Sequence, residues 1–121
     1  MVYIKMPNEC CNYITITSDS ETELDDLLQQ DIKPIPNVEL QQITKNGIRV
    51  YFITSWGTDY EWFETLLYKY PSCWIKNEWN IEDGHRGIWI GYHDKQHQKI
   101  IKCIEWDDIS LEAEEYFFCI K

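Results

Sequence analysis

The stretch NYITITSDSETELDDLLQQ, residues 12–30, carries the decision about the fold. Its first six residues alternate Tyr13, Thr15 and Thr17 with Ile14 and Ile16, and the β-branched and aromatic content predicts a strand over residues 12–17. Ser20 with Glu23 three residues later is a capping box, in which the hydroxyl accepts from the third backbone N–H and the acid reaches back. Leu24, Leu27 and Leu28 follow at helical spacing, so residues 20–30 predict a short amphipathic helix. Glu21, Glu23, Asp25 and Asp26 fall in its first turns, where the helix dipole favours negative charge.

Working outward, Pro34 and Pro36 exclude helix and mark a loop. Residues 38–44 and 48–54 flank Lys45-Asn46-Gly47, a hairpin signal because Asn and Gly both tolerate positive φ. Thr58 with Glu61 reads as a second capping box, and the stripe Trp62, Phe63, Leu66, Leu67, Tyr70, stopped by Pro71, predicts a helix over residues 58–70. Three strand-like runs follow at 73–82, 87–93 and 99–106, separated by turns at Asp83-Gly84 and from Asp94 to Gln98. Beyond Asp107 the pattern divides: Leu111 to Glu115 looks helical and Tyr116 to Ile120 strand-like. Residues 1–121 thus read as a single domain of the α+β class, β-α-β-β-α-β with extra C-terminal strand or strands. This is the ferredoxin-like order, an antiparallel sheet with both helices on one face.

The chain has 121 residues and a mass of 14.6 kDa. Area scaling gives about 21,000 Å² for the unfolded chain against about 7,000 Å² folded, enough burial for a core without metal or disulfide staples. Aromatics reach 15%, with six Trp and eight Tyr, so some rings are expected on a surface. A net charge of −10 opposes direct binding to nucleic acid or to anionic membranes. It fits a solvated acidic surface or one that meets a basic partner. Five cysteines, Cys10, Cys11, Cys73, Cys103 and Cys119, an odd number with no secretory pattern at Met1 to Met6, predict reduced thiols in a cytoplasmic compartment. No apolar run approaches the ~18 residues of a membrane helix.

Candidate chemistry is thin. His93 and His97 straddle a predicted turn, His85 lies nearby, and Cys10-Cys11 are adjacent rather than two apart, so no metal site is expected. Cys10 and Cys11 precede a strand rather than a helix and have no adjacent Lys or Arg, and Cys73, Cys103 and Cys119 sit in apolar runs as small core residues. The carboxylate pairs Asp25-Asp26, Glu82-Asp83, Asp107-Asp108 and Glu114-Glu115 belong to turns and helix surfaces rather than a cleft. No catalytic residue and no cofactor is therefore predicted.

The aromatic pattern says more. Alternation assigns Ile14, Ile16, Val50, Phe52, Ile75, Trp79, Ile81, Ile88 and Ile90 to the helix-covered face, and Tyr13, Tyr51, Ile53, Trp74 and Trp89 to the other. Tyr13, Tyr51, Trp74 and Trp89, with Glu78 as part of a charged rim, are the predicted partner-binding residues.

Met6-Pro7-Asn8-Glu9-Cys10-Cys11-Asn12-Tyr13-Ile14 resembles the opening of the YubB-type ferredoxin-like domain family, which reads M-P-N-W-C-x-N-x-L. Thr54-Ser55-Trp56, a helix ending in Tyr70-Pro71, then Trp79, Glu82, Gly84 and Gly87 are similar to a second stretch of the same family. The likeness spans roughly residues 6–92, with Glu9 where the family usually has Trp and Gly57-Thr58 where it often has a Pro pair. The resemblance implies a ferredoxin-like fold without iron–sulfur chemistry and a phage, plasmid or mobile-element origin, and it implies no catalytic residues. The expectation is a non-enzymatic module that binds a protein partner or a second copy of itself through the aromatic face, in the cytoplasm of a host cell. An acidic mimic of nucleic acid and a small-molecule binder or enzyme with a pocket near Trp56 are the alternatives.

Overall fold

The computed structural model describes residues 9–107. Cys119 and the divided pattern after Asp107 lie outside the described residues. Strand β1 (Glu9–Ser18) leads to helix α1 (Glu21–Leu27), which starts where the sequence places its cap: the Ser20 hydroxyl accepts from the Glu23 N–H at 3.2 Å. The helix continues as a wider π-helical turn over Leu28–Ile32, closed by the Lys33 N–H on the Leu28 carbonyl at 2.9 Å. Strands β2 (Glu39–Ile43) and β3 (Gly47–Ser55) form a hairpin, helix α2 (Tyr60–Lys69) follows, and β4 (Cys73–Ile81), β5 (His85–His93) and β6 (Lys99–Asp107) complete a meander.

The six strands form one antiparallel sheet in the order β2-β3-β1-β4-β5-β6. Both helices lie on one face, because the core is a single cluster. Leu24, Leu27, Leu28 and Ile32 join Phe63, Leu66 and Leu67 over Ile14, Ile16, Ile48, Val50 and Ile75. The far ends of the two helical segments are also tied, since the Tyr70 hydroxyl donates to Asp31 Oδ2 at 2.6 Å and Lys69 Nζ pairs with Asp31 at 2.9 Å. Burial first, then that carboxylate, push the Tyr70 phenol well above its usual range.

Four expectations need correction. The Lys45-Asn46-Gly47 turn forms without positive φ at Asn46 or Gly47; among the described residues only Asn37, Trp56, His97 and Gly84 have it. The turn closes instead through the Thr44 N–H on the Gly47 carbonyl at 2.8 Å, and Asn46 Nδ2 ties it to the Ser18 carbonyl at 2.9 Å. The cap of α2 is Asp59, whose Oδ1 accepts from the Trp62 N–H at 3.1 Å, not Thr58. Cys103 is exposed rather than core, because β6 lies beyond the span of the helices. There α2 reaches the sheet through polar contacts, Tyr60 donating to Glu105 at 2.8 Å, Lys99 to Glu64 at 2.8 Å and Cys103 to the Tyr60 hydroxyl at 3.4 Å.

The fourth correction concerns β5. Trp89 points into the core, 2% exposed, and Ile88 and Ile90 point away from the helices. Volume decides this. Gly87 and Gly91 flank Trp89 on its own face, and each leaves room for an indole. The Trp79 ring lies 2.5 Å from where a Gly87 Cβ would be, and the Trp89 ring covers Gly91 and stacks on Phe63 at 5.1 Å.

Candidate interaction surface

The open face is built row by row from the strand register. Tyr13 on central β1 sits between Tyr51 of β3 and Glu78 of β4, and the row continues through Ile88 to Ile104. The Tyr13 and Tyr51 rings lie 4.8 Å apart, and the Tyr51 hydroxyl donates to the Cys11 sulfur at 3.3 Å. That bond, ahead of burial, pushes the Tyr51 phenol up to about 12, because losing its proton beside sulfur is unfavourable. Toward the α1 end, Trp74 stacks on Tyr92 with centroids 3.7 Å apart and planes 1° from parallel. Toward the other end, Ile53, Cys11, Asn80, Arg86 and Trp106 make a further row. Tyr13 is 44% exposed, Ile53 47%, Trp74 50% and Ile104 68%.

Four of the five predicted residues therefore share this face: Tyr13, Tyr51, Trp74 and Glu78. Trp89 does not; it belongs to the core. Glu78 is engaged by Lys76 at 3.0 Å. Sequence reasoning missed Tyr92, Ile104 and Trp106, which follow from alternation once β5 is given its true phase. Shallow clefts open on the face, among them one of about 230 Å³ where Arg86 and Trp106 flank Tyr13, and one of about 330 Å³ where Arg49 and Lys76 do.

Charge is distributed unevenly. Among the described strand residues, the open face carries Arg49, Lys76, Arg86 and Lys102 against Glu9, Glu39 and Glu78, a slight positive excess on a chain of net −10. The acids concentrate elsewhere, with Glu21, Glu23, Asp25, Asp26, Glu61 and Glu64 on the helices alone.

A second concentration of polar atoms lies inside. Asn12 and Asn77 are fully buried beneath the start of α2. Thr58 Oγ1 donates to Asn12 Oδ1 at 2.8 Å, and Asn77 Nδ2 donates to Thr58 at 2.9 Å and to Asn12 Oδ1 at 3.1 Å. Asn12 Nδ2 donates to Thr54 Oγ1 at 3.0 Å and to the Cys10 and Phe52 carbonyls at 3.2 and 3.4 Å. Thr54 donates in turn to the Gly57 carbonyl, at the bend where Trp56 takes a φ of 71°. The Cys10 and Asn12 of the first family-like stretch and the Thr54 of the second meet here. Burial raises the Cys10 thiol, and the hydrogen bonds of Thr54 and Thr58 hold the loop into α2.

Of the remaining titratable groups, Tyr60, His85, Cys103, Glu105 and Asp107 gather at the β5–β6 edge on the helix side, with Cys103 Sγ donating to the Tyr60 hydroxyl at 3.4 Å. Cys10 and Cys11 point to opposite faces of β1. His85 lies 3.6 Å from Asp107 and 3.9 Å from Glu105, while His93 is at the far end of the strand. Among the described residues no three His, Cys, Asp or Glu side chains form a group able to hold a metal ion. Asp25 and Asp26 are exposed on α1, and Asp83 caps its own turn by accepting from the His85 N–H at 2.9 Å. Comparison with protein-family models, curated proteins and solved structures finds no match to this chain.

Proposed function

We propose that the chain is a non-enzymatic binding module whose working surface is the open face of its sheet. One observation carries the reading: large side chains, among them Tyr13, Ile53, Trp74 and Ile104, stand exposed on the face opposite both helices, in rows parted by the row of Arg49, Lys76 and Lys102. Several large exposed side chains on one face mark a place where something binds. The order β2-β3-β1-β4, with α1 and α2 as crossovers, supports a ferredoxin-like unit, and β5 and β6 widen its open face. Kinship with the YubB-type family rests on the two residue stretches quoted above.

A protein partner or second copy was favoured by the total charge, and the local charge of the open face removes that preference. The acids gathered on the helices support the alternative of a nucleic-acid mimic acting through the opposite face. Trp56, 57% exposed on its bend, lines neither of the clefts described.

The test is capture from a cell lysate with three proteins: the wild type, Tyr13→Ala with Trp74→Ala, and Glu21→Lys with Asp25→Lys. Material retained by the wild type and the helix variant but lost by the ring variant supports the open face. Loss confined to the helix variant supports the mimic. A ring variant that folds and retains everything overturns the proposal.

A further inference from the structure

Resting on the open-face reading, we infer that its partner is single-stranded nucleic acid, laid across the strands with bases on the rings and phosphates on a row of cations. One row of the register runs Arg49, Thr15, Lys76, Ile90, Lys102, from β3 across to β6. Strands lie about 4.8 Å apart, so the three cations stand at intervals of roughly 10 Å. This row is bracketed on both sides by aromatic rows, Tyr51–Tyr13 on one flank and Trp74–Tyr92 on the other. Adjacent same-face rows are about 7 Å apart, so each ring pair is within a nucleotide's reach of a cation. Aromatic faces beside a cationic track on a sheet are the parts that sequence-tolerant binders of single strands use. Every base has a π-face to stack, and every phosphate needs a counter-charge.

The net charge of −10 does not oppose this arrangement at close range. The acids of the helices lie on the far side of the sheet, and the helix layer alone is about 10 Å thick. At physiological ionic strength the Debye length is about 8 Å, so those acids are largely screened from a ligand on the open face. The face itself has Arg49, Lys76, Arg86 and Lys102 against Glu9, Glu39 and Glu78. An acidic polymer meets attraction where it lands.

The experiment is fluorescence anisotropy of the purified chain with fluorescein-labelled dT20 and rU20, in 50 and 200 mM salt. Neutralising about three phosphates gives a log–log salt slope near −2, or roughly 20-fold weaker binding at the higher salt. Tyr13→Ala and Trp74→Ala each weaken binding at least about fivefold, the loss expected of a removed stacking platform. Arg49→Glu with Lys102→Glu weakens it and flattens the salt slope by about 1.4, the loss of two of three phosphate contacts. Absence of binding at ~100 µM protein in 50 mM salt overturns the nucleic-acid assignment. If the ring variant then still loses protein from nuclease-treated lysate, the open face stands with a protein as its partner. Oligonucleotide bound equally by wild type and both ring variants overturns the assignment and the open-face reading together.

Discussion

Replacing Gly91 by Ala puts a methyl group into space the Trp89 indole occupies. A Cβ there would lie 2.7 Å from Leu67 Cδ1, 2.8 Å from Trp89 Cζ3, and against Trp89 Cη2. Neither neighbour can yield: Leu67 is fully buried in α2, and the indole is stacked on Phe63 with almost none of its surface free. Overpacking of a closed core costs about 1–3 kcal/mol, and two immovable partners put this substitution at about 2–3 kcal/mol. For a chain of this length Tm falls by roughly 8–12 °C. Urea unfolding followed by circular dichroism measures it, with an unchanged m-value confirming that the loss is in stability. Adding Trp89→Phe to Gly91→Ala removes the clashing ring atoms and recovers part of the loss. Ile90→Ala, on the open face, costs about 1 kcal/mol or less, where a core isoleucine would cost about 2–5 kcal/mol. Should Gly91→Ala be neutral within ~0.5 kcal/mol while Ile90→Ala costs more than ~2 kcal/mol, β5 has the opposite phase and the reasoning from volume fails.

Thr58→Val strips the hydroxyl shared by Asn12 and Asn77 and costs about 2–3 kcal/mol, whereas Asp59→Ala removes a cap worth about 1 kcal/mol; urea midpoints of the two variants give both losses, and an Asp59→Ala variant as stable as the wild type refutes the cap. Burial, partly offset by a bond from Ser18, raises the Cys73 thiol from 9.0 to about 11, so the unfolded chain sheds that proton first. Stability is then flat below pH 9 and declines as pH rises from 9 to 11, by on the order of 3 kcal/mol from this group, and Cys73→Ala makes the decline shallower in a pH series of urea melts. In a Cys119→Ser background, Ellman's reagent should modify exposed Cys103 quickly and Cys10 and Cys73 only at the rate of unfolding; rapid modification of all the thiols in the folded protein contradicts their burial.

Much of the fold was legible because local signals and tertiary packing agree. Ser20 caps its helix, the hairpin falls where residues 38–54 place it, and alternation puts Tyr13, Tyr51 and Trp74 on the open face of β1, β3 and β4. β5 was misread because it is apolar on both faces. Hydrophobicity ranks Ile88 and Ile90 as core, and only the volume argument of Gly87-Ile88-Trp89-Ile90-Gly91 reverses it. The second cap was misread because Thr58 and Asp59 are both competent, and the choice is made by Asn12 and Asn77, far away in sequence. The cationic row was invisible to a total charge, since Arg49, Lys76 and Lys102 come from three separate strands.

The buried amide of Asn12 has a consequence for how the sheet assembles. Along the inward side of β1, Ile14 and Ile16 are interchangeable, so a slide of β1 by two residues would keep oily side chains inward and cost little by hydrophobicity alone. Asn12 breaks that degeneracy, being held by Phe52 and Thr54 on one neighbour, Asn77 on the other and Thr58 in the loop. A two-residue slide carries it about 7 Å from its partners, beyond any hydrogen bond, and strands several polar groups in a dry interior. The central strand is thus keyed to one frame by a residue that contributes nothing to the oil.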